Sequence, residues 1–193
     1  MKISRDSLLT LEAYARQRES FRKHVIEHKK PRTVHVGEHV TLLFEDELTI
    51  RYQIQEMLRI EKTFEEAGIQ DELDVYNPLV PDGSNWKATM LVEYEDVEER
   101  KRALARLRGI EHNMWVRIEG AKPVYGVADE DLERANPDKT ASVHFLRFEL
   151  TAAMISALKG GAALAIGVDH PQYSVAADPV AQATRDALVK DLV

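Results

Sequence analysis

Apolar residues recur with helical spacing in the N-terminal third of the chain and with strand spacing in much of the remainder. In the first segment they share one stripe at intervals of about 3.6 residues, which predicts a long helix. The predicted elements here are this helix, a β-hairpin, a second helix and a short third helix, over residues 5–30, 33–45, 47–66 and 71–76. Asp46 is a suitable cap for the second helix, and a loop rich in turn residues follows at 77–85.

Beyond that loop, strands and helices alternate. Strands are predicted over residues 86–94, 113–118, 124–128, 141–150 and 163–168. Helices follow the first and fourth of these strands, and a last helix opens at Asp178-Pro179. Because a strand–helix–strand unit occurs twice, a ferredoxin-like layout with a split βαβ topology is expected.

The predicted fold class is therefore α+β. A long N-terminal helix, a β-hairpin and a second helix are expected to pack on a C-terminal ferredoxin-like antiparallel sheet with its helices. The predicted division is a helix–hairpin–helix unit over residues 1–78 and an α+β sheet unit over residues 79–193, joined in one compact globule.

Composition removes several kinds of chemistry. The 193 residues include no cysteine, which excludes a disulfide, a thiolate nucleophile and a cysteine-bound metal on this chain. No apolar run is long enough to cross a bilayer, and the charged first 30 residues lack the apolar middle of a signal peptide. We therefore expect a cytoplasmic protein with no membrane contact. No cofactor is evident, and a metal would need histidine and carboxylate ligands.

Charge is distributed unevenly. Residues 1–40 hold nine Lys or Arg and five Asp or Glu, a surplus of +4, so the other 153 residues carry −11 of the net charge of −7. A basic first helix is one way to bind nucleic acid. It equally favours docking on an acidic surface of the same molecule, and no aromatic-rich nucleic-acid motif accompanies it.

Charged residues interrupt the apolar stripes of the first two helices. On a helical wheel Glu61 falls within the apolar face of the second helix, with Gln53 near its edge. Arg18 and Arg22 fall within the stripe of the first helix. Because a carboxylate facing a core is costly unless it is paired, we expect Glu61 to meet Arg18 or Arg22 where the helices pack. The alternatives are a structural salt bridge and a site for an anionic ligand that also uses Gln53.

The strand over residues 141–150 supplies further candidates. Alternation places His144 on its more apolar face, and Arg147 and Glu149 on the other face, toward the expected groove between the two units. Two interpretations of His144 are open: a core histidine with its hydrogen bonds satisfied, or a metal ligand. His170 lies in a predicted loop, where reactive groups are often presented.

Two histidines have a spacing typical of metal ligands. His24 and His28 lie four residues apart on the first helix, so both imidazoles can reach one ion. His144 and His170 are further metal candidates, while a pair of solvated helix histidines is the alternative reading. A phosphate-binding glycine loop, a Gly-x-Ser-x-Gly motif and a His-Glu-x-x-His motif are all absent from the sequence.

Five stretches taken together resemble a bacterial family of unknown function, the domain-of-unknown-function family numbered 3501. They are Val36–Glu45, Gln53–Glu61, Asn77–Gly83, Val143–Glu149 and Val168–Tyr173. The resemblance covers essentially the whole chain but transfers no catalytic residues. Genes of that family often lie beside genes for rubrerythrin-like proteins and iron–sulfur oxidoreductases, so the resemblance implies a redox or oxidative-stress context and a redox protein as partner.

Three functional hypotheses follow. The first is a non-catalytic accessory or ligand-binding protein that uses the groove between the two units. The second is a metal- or haem-dependent enzyme built on histidines and carboxylates. The third is a nucleic-acid-associated regulator acting through the basic first helix. The sequence leaves the reaction, the ligand and the oligomeric state open.

Overall fold

A computed structural model describes residues 2–130, 134–136 and 138–193. The helices in these ranges are α1 (Leu11–Lys29), α2 (Glu47–Glu61), α3 (Glu66–Tyr76), α4 (Val97–Arg106), α5 (Ala152–Lys159) and α6 (Gln182–Val189). The strands are β1 (Thr33–Val36), β2 (Val40–Glu45), β3 (Asn85–Val92), β4 (Met114–Ile118), β5 (Val124–Tyr125), β6 (Val127–Ala128), β7 (Val143–Glu149), β8 (Leu164–His170) and β9 (Tyr173–Ala177). The α+β class predicted from the sequence is confirmed.

The strands form two antiparallel sheets. One sheet has the order β1-β2-β3-β7-β6 and the other the order β5-β4-β8-β9. This corrects the expected ferredoxin-like arrangement, in which the strands of both βαβ units share one sheet. The physical reason is that β3–β7 and β4–β8 each have an apolar inner face, and the two pairs bury these faces within one shared core.

The two sheets are connected at both edges. The segment predicted as one strand over residues 124–128 is divided at Gly126, with β5 in one sheet and β6 in the other. A Cβ on Gly126 would lie 3.1 Å from the Phe148 ring, so glycine allows the close approach at this corner. At the opposite edge the Tyr173 hydroxyl donates to the Val36 carbonyl at 2.8 Å, which joins β9 to β1.

The main core lies between the sheets. Fully buried Phe44, Trp86 and Phe148 contribute from the five-stranded sheet, and Val116 and Ile166 from the four-stranded one. Helices α4, α5 and α6 supply buried side chains to the same cluster. The Trp86 indole N–H donates to the carbonyl of Leu188 at 3.0 Å, so the last helix is held by a hydrogen bond as well as by apolar contact.

The first three helices form a second apolar cluster with the segment before α1. Helix α1 begins at Leu11, later than the predicted residue 5, because Thr10 caps it by accepting the Ala13 N–H. Asp46 caps α2, as predicted, in a reciprocal pair of hydrogen bonds with Thr49. Helix α2 ends at Glu61, before the predicted residue 66, because Lys62 adopts a left-handed conformation with φ +56°.

Among the described residues, none of the helices combines the length and the apolar character needed to cross a membrane.

Candidate functional site

Helices α1 and α2 are joined by an ion pair, but not by the predicted one. Arg18 donates from Nε and Nη2 to the two carboxylate oxygens of Glu56 at 2.7 and 2.8 Å. Tyr14, one turn earlier on α1, donates its hydroxyl to the same carboxylate at 2.6 Å. Glu61 and Arg22 are exposed and take no part. The expected pairing of Glu61 with Arg18 or Arg22 is therefore wrong.

The error comes from the helical wheel of α2. The buried apolar residues Ile50, Ile54 and Leu58 form one cluster with α3, and Glu61 continues that face at the last residue of α2, where it is exposed. Helix α1 lies instead against the side of α2 that carries Glu56. Gln55, next to Glu56, is buried, and its oxygen accepts the Leu9 N–H at 2.6 Å. Which side of an amphipathic helix a neighbour covers depends on packing, and the sequence of that helix alone does not decide it.

Glu56 makes the stability of this helix pair dependent on pH. The hydrogen bonds from Arg18, and then those from Tyr14 and Arg59, outweigh burial and lower the pKa of Glu56 from 4.5 to about 2. A lowered carboxyl pKa stabilises the native state above the unfolded-state pKa, and this contribution is lost as the pH falls from about 4.5 toward 2. We expect wild type to lose about 1 to 2 kcal/mol more of its unfolding free energy across that range than Glu56→Gln.

Urea unfolding at a series of pH values measures this difference. Glu95→Gln, at an exposed carboxylate, serves as the matched control and should keep the wild-type pH dependence. Equal pH dependence in Glu56→Gln and wild type would contradict a charge-stabilised contact between α1 and α2.

Two of the four candidate metal histidines have both ring nitrogens engaged. Nδ1 of His170 accepts the Gln172 N–H at 3.2 Å, so Nε2 carries the hydrogen and donates to the Arg108 carbonyl at 3.0 Å. His144 is fully buried, with Nδ1 2.6 Å from Asp129 Oδ2 and Nε2 2.8 Å from Thr140 Oγ1. These contacts match the reading of a core histidine with satisfied hydrogen bonds.

The hydrogen bonds of His144 extend to a second carboxylate. Nε2 also lies 3.1 Å from the carbonyl oxygen of Ala141. The Thr140 hydroxyl, which contacts Nε2, donates to buried Glu111 at 2.8 Å. The network is a compact, fully hydrogen-bonded unit at the start of β7.

The remaining metal candidates lie on α1. The rings of His24 and His28 are 6.4 Å apart, and His24 is exposed. His28 contacts the α2 cap through Nε2, 2.5 Å from Asp46 Oδ2. No group of three or more His, Asp or Glu that could hold a metal occurs among the described residues. The metal hypothesis stays a prediction from the sequence.

The basic residues of α1 are interleaved with carboxylates. Lys23 pairs with Glu19 at 2.8 Å, and Lys30 pairs with Glu27 at 2.7 Å. Such pairs are typical of a solvated helix face. The nucleic-acid hypothesis also stays a prediction.

Two neighbouring cavities lie on the outer face of the five-stranded sheet, and both are lined by Leu79 and Phe145. We call the two together the sheet–turn cleft and each of them a chamber. The Glu45 chamber, of about 260 Å³, is lined by Lys29, Leu43, Glu45, Thr49, Ile50, Gln53, Tyr76, Leu79, Thr89 and Phe145. The Lys87 chamber, of about 240 Å³, is lined by Pro78, Leu79, Lys87, Glu130, Phe145, Leu146 and Arg147.

Strand register produces this arrangement. On β2, β3 and β7 the side chains alternate, so residues buried against the other sheet are flanked by residues that point to the cleft. Glu45 of β2 lies opposite Lys87 of β3, and Lys87 lies opposite Arg147 of β7. A row of three charged residues therefore crosses the sheet beneath α2 and the 3₁₀ turn Asn77–Leu79.

In the Lys87 chamber the arginine is fully paired and the lysine is not. Arg147 donates to both oxygens of Glu130 at 2.7 Å and also contacts Glu149. Among the described residues, Lys87 makes no hydrogen bond or ion pair. Burial lowers the pKa of Lys87, and the positive charge of Arg147 lowers it further, against the smaller raising effects of Glu130 and Glu149.

Of the ligand-binding residues predicted from the sequence, three lie at this cleft or its rim. Gln53 lines the Glu45 chamber, Arg147 lines the Lys87 chamber, and Glu149 is the exposed partner of Arg147. The sequence reading missed Glu45 and Lys87. Strand alternation does place both on one face of the hairpin and of β3, but it gives no sign that a later segment covers that face.

A larger cavity, of about 900 Å³, lies at the end of the sheet beside His39 and Tyr94, whose rings stack at 3.9 Å. The carboxylates that line it, Glu38, Glu93, Glu95 and Glu99, are all exposed. Exposed charges of one sign describe a solvated surface, so this cavity is a weaker candidate than the sheet–turn cleft.

The fold and the cleft define an α+β protein with two packed antiparallel sheets and a small polar-ended cavity outside one of them. The chain belongs to the family described as protein of unknown function (DUF3501), whose profile matches residues 2–192. A crystal structure of a novel protein of unknown function from Burkholderia pseudomallei is 57% identical over 100% of both chains, with a TM-score of 0.95. No curated protein matches the chain. The family resemblance inferred from the sequence is confirmed.

Proposed function

We propose that this protein is a non-catalytic ligand-binding protein whose sheet–turn cleft holds a small organic molecule with an acidic group. The observation that carries the proposal is Lys87, a half-buried lysine that lines a cavity and whose ammonium group has no hydrogen-bonding partner among the described residues. Partial burial of a lysine weakens the hydration of its charge, and an anion or hydrogen-bond acceptor compensates for the lost water. A bound carboxylate or phosphate would supply that compensation.

The chemistry of the chamber selects the kind of ligand. Leu79, Phe145 and Pro78 provide apolar walls, and Lys87 is the one lining cation that Glu130 and Glu149 leave free within the described chamber. Apolar walls with one directed polar group are typical of small-molecule sites. A volume of about 240 Å³ accommodates a small organic acid rather than a nucleotide or a haem.

We expect Lys87→Met to weaken the binding of a small carboxylate such as hexanoate by about 10- to 100-fold, which is the loss of one charge-assisted hydrogen bond. Isothermal titration calorimetry measures the dissociation constant. Lys122→Met, at an exposed lysine outside the cleft, is the matched control and should bind as wild type does.

A pH series tests the same contact without loss of the side chain. Because anion binding needs the protonated amine, affinity should be present below the pKa of Lys87 and fall as the pH rises through it. Since burial and Arg147 lower that pKa, the fall should begin at a lower pH than for an ordinary lysine. Lys87→Arg keeps its charge and should lose this pH dependence. Failure of wild type to bind hexanoate and inorganic phosphate would contradict the proposal.

An accessory role beside a redox protein is compatible with this function. It rests on the family resemblance alone and stays a prediction. Co-purification of the untagged protein with a rubrerythrin-like or iron–sulfur protein from its native cell would support it.

A further inference from the structure

The Glu45 chamber contains a buried carboxylate that has no cationic partner within the described part of the chain. Glu45 is 8% exposed. Its Oε1 accepts the Thr89 hydroxyl at 2.6 Å, and its Oε2 accepts the Thr49 hydroxyl at 2.5 Å. Among the described residues these two hydroxyls are its donors, and no arginine, lysine or histidine lies within ion-pair distance of it.

Two hydroxyls leave this carboxylate incompletely satisfied. An ionised carboxylate offers about four lone-pair sites, of which the threonines occupy two. The position of Glu45 just before α2 provides some help from the helix dipole. The remaining acceptor capacity faces a cavity whose other polar side chains include Lys29, Gln53 and Tyr76. The Lys29 ammonium lies over the Tyr52 ring, 5.7 Å from its centroid, and makes no ion pair with Glu45. A chamber of this composition suits an ammonium group, which donates up to three hydrogen bonds and supplies the missing positive charge.

The register of the sheet places this anion beside the unpaired cation. Glu45 and Lys87 are direct cross-strand partners on β2 and β3, a position in which opposite charges usually interact. Here they form no ion pair. The threonines hold Glu45 within one chamber, and Lys87 lines the other. Leu79 and Phe145 form the apolar surface common to both.

We infer that the ligand is zwitterionic, an amino-carboxylate whose ammonium group binds Glu45, whose acidic group binds Lys87 and whose apolar body lies against Phe145 and Leu79. This inference rests on the proposed function, because it adds the second half of the ligand to the acidic group already assigned to Lys87. It explains why two opposite charges on neighbouring strands are kept apart by hydroxyl groups: each is left for a ligand group of the opposite sign.

A matched set of probes tests the inference on the wild-type protein. Hexanoate carries the acidic group alone, hexylamine the ammonium alone, and 6-aminohexanoate carries both on the same body. The ω-amino acids from 4-aminobutyrate to 8-aminooctanoate then vary the separation of the charges. We expect the best amino acid of this series to bind at least about tenfold more tightly than hexanoate, as one added charge-assisted contact implies.

Glu45→Gln assigns that gain to the carboxylate. The amide keeps an oxygen acceptor for one threonine and loses the negative charge. The variant should lose the preference for the amino acid over hexanoate, so that the ratio of the two dissociation constants falls to within about twofold of one. Glu38→Gln, at an exposed carboxylate outside the cleft, is the control and should keep the preference. The wild-type probe series stands by itself if Glu45→Gln does not fold.

The outcomes separate the two proposals. If hexanoate binds and the amino acids bind no better, the zwitterion is excluded while a site for an acidic ligand remains. Binding of no probe would overturn both. A preference for amino acids that persists in Glu45→Gln would show that another group receives the ammonium, and would overturn the assignment of Glu45.

Discussion

Replacing Arg32 with methionine is expected to lower the free energy of unfolding by about 3 to 5 kcal/mol, the largest loss from any single change considered for this protein. Arg32 is 2% exposed and lies at the junction of α1, the hairpin and the last helix. It donates from Nε to the Phe44 carbonyl at 2.9 Å and from Nη2 to the Glu45 carbonyl at 3.1 Å. It also pairs with Asp191.

The loss is large because carboxylates remain when the arginine is removed. Burial raises the pKa of Asp191, and the hydrogen bonds and charge of Arg32 oppose that rise. Asp46 is also desolvated, yet the charge of Arg32, the Thr49 N–H and His28 lower its pKa. Methionine has no charge and donates no hydrogen bond, so the carboxylates of Asp46 and Asp191 would lose the cation that now balances them. Breaking a buried pair in this way costs more than replacing both partners.

The deficit of Arg32→Met should depend on pH. Without Arg32 the folded-state pKa of Asp191 rises further, and a raised carboxyl pKa gives stability that is present below the unfolded-state pKa and lost as the pH rises. In the variant the pKa of Asp46 is no longer lowered by the charge of Arg32. The variant therefore lacks the stability that this lowered pKa gives the wild type above about pH 4. The difference from wild type should therefore be larger at neutral pH than near pH 4.

Urea unfolding with Arg16→Met as the control measures this effect. Arg16 is exposed on α1, and its replacement should change the stability by no more than about 0.5 kcal/mol. Adding Asp191→Asn to Arg32→Met should recover part of the loss. A loss below about 1 kcal/mol for Arg32→Met would show that these carboxylates are hydrated, not buried as a pair.

Replacing His144 with leucine is expected to lower the unfolding free energy by about 2 to 4 kcal/mol. Leucine fills most of the space but makes no hydrogen bond, so Asp129 and the Thr140 hydroxyl each lose a partner. Glu111, 4% exposed at its side chain, also loses the imidazole 3.8 Å away. Asp129 keeps its contact with Arg134 at 3.4 Å, but polar atoms at the start of β7 are left with fewer partners, and this is costly in a protein interior.

Thermal and urea unfolding again give the magnitude. His24→Leu, at an exposed histidine on α1, is the matched control and should be nearly neutral. A wild-type-like stability of His144→Leu would contradict a stabilising role for this network.

Local features of the fold were predictable because they depend on neighbours in the chain. The cap Asp46, the hairpin of β1 and β2 and the two faces of β7 all appear where the sequence places them. Each follows from the chemistry of a few adjacent residues and from the period of a helix or strand. The predicted end of α2 was wrong because no glycine marks the position where the helix actually ends. Lys62 adopts the left-handed conformation there instead.

Pairing between distant elements was not predictable in the same way. The pattern of β3 and β7 predicts two strands with one apolar face but does not state which strands lie beside them. The separation into two sheets depends on which apolar faces bury each other, and this involves contacts between residues far apart in the sequence. The same limit explains why the sequence predicts Glu61 as a partner for Arg18, whereas the packing of α1 on α2 brings Glu56 to it.

The sequence by itself determined the α+β class, the family, the order of most elements and the charged residues on the outer face of β7. Only the tertiary structure decided that Glu45 and Lys87 are neighbours and that α2 and the turn at Asn77–Leu79 lie near them. On an open strand face both would be ordinary solvated charges. The free energy of an unpaired charge depends on its exposure to water, and exposure depends on the elements that the rest of the chain packs above it.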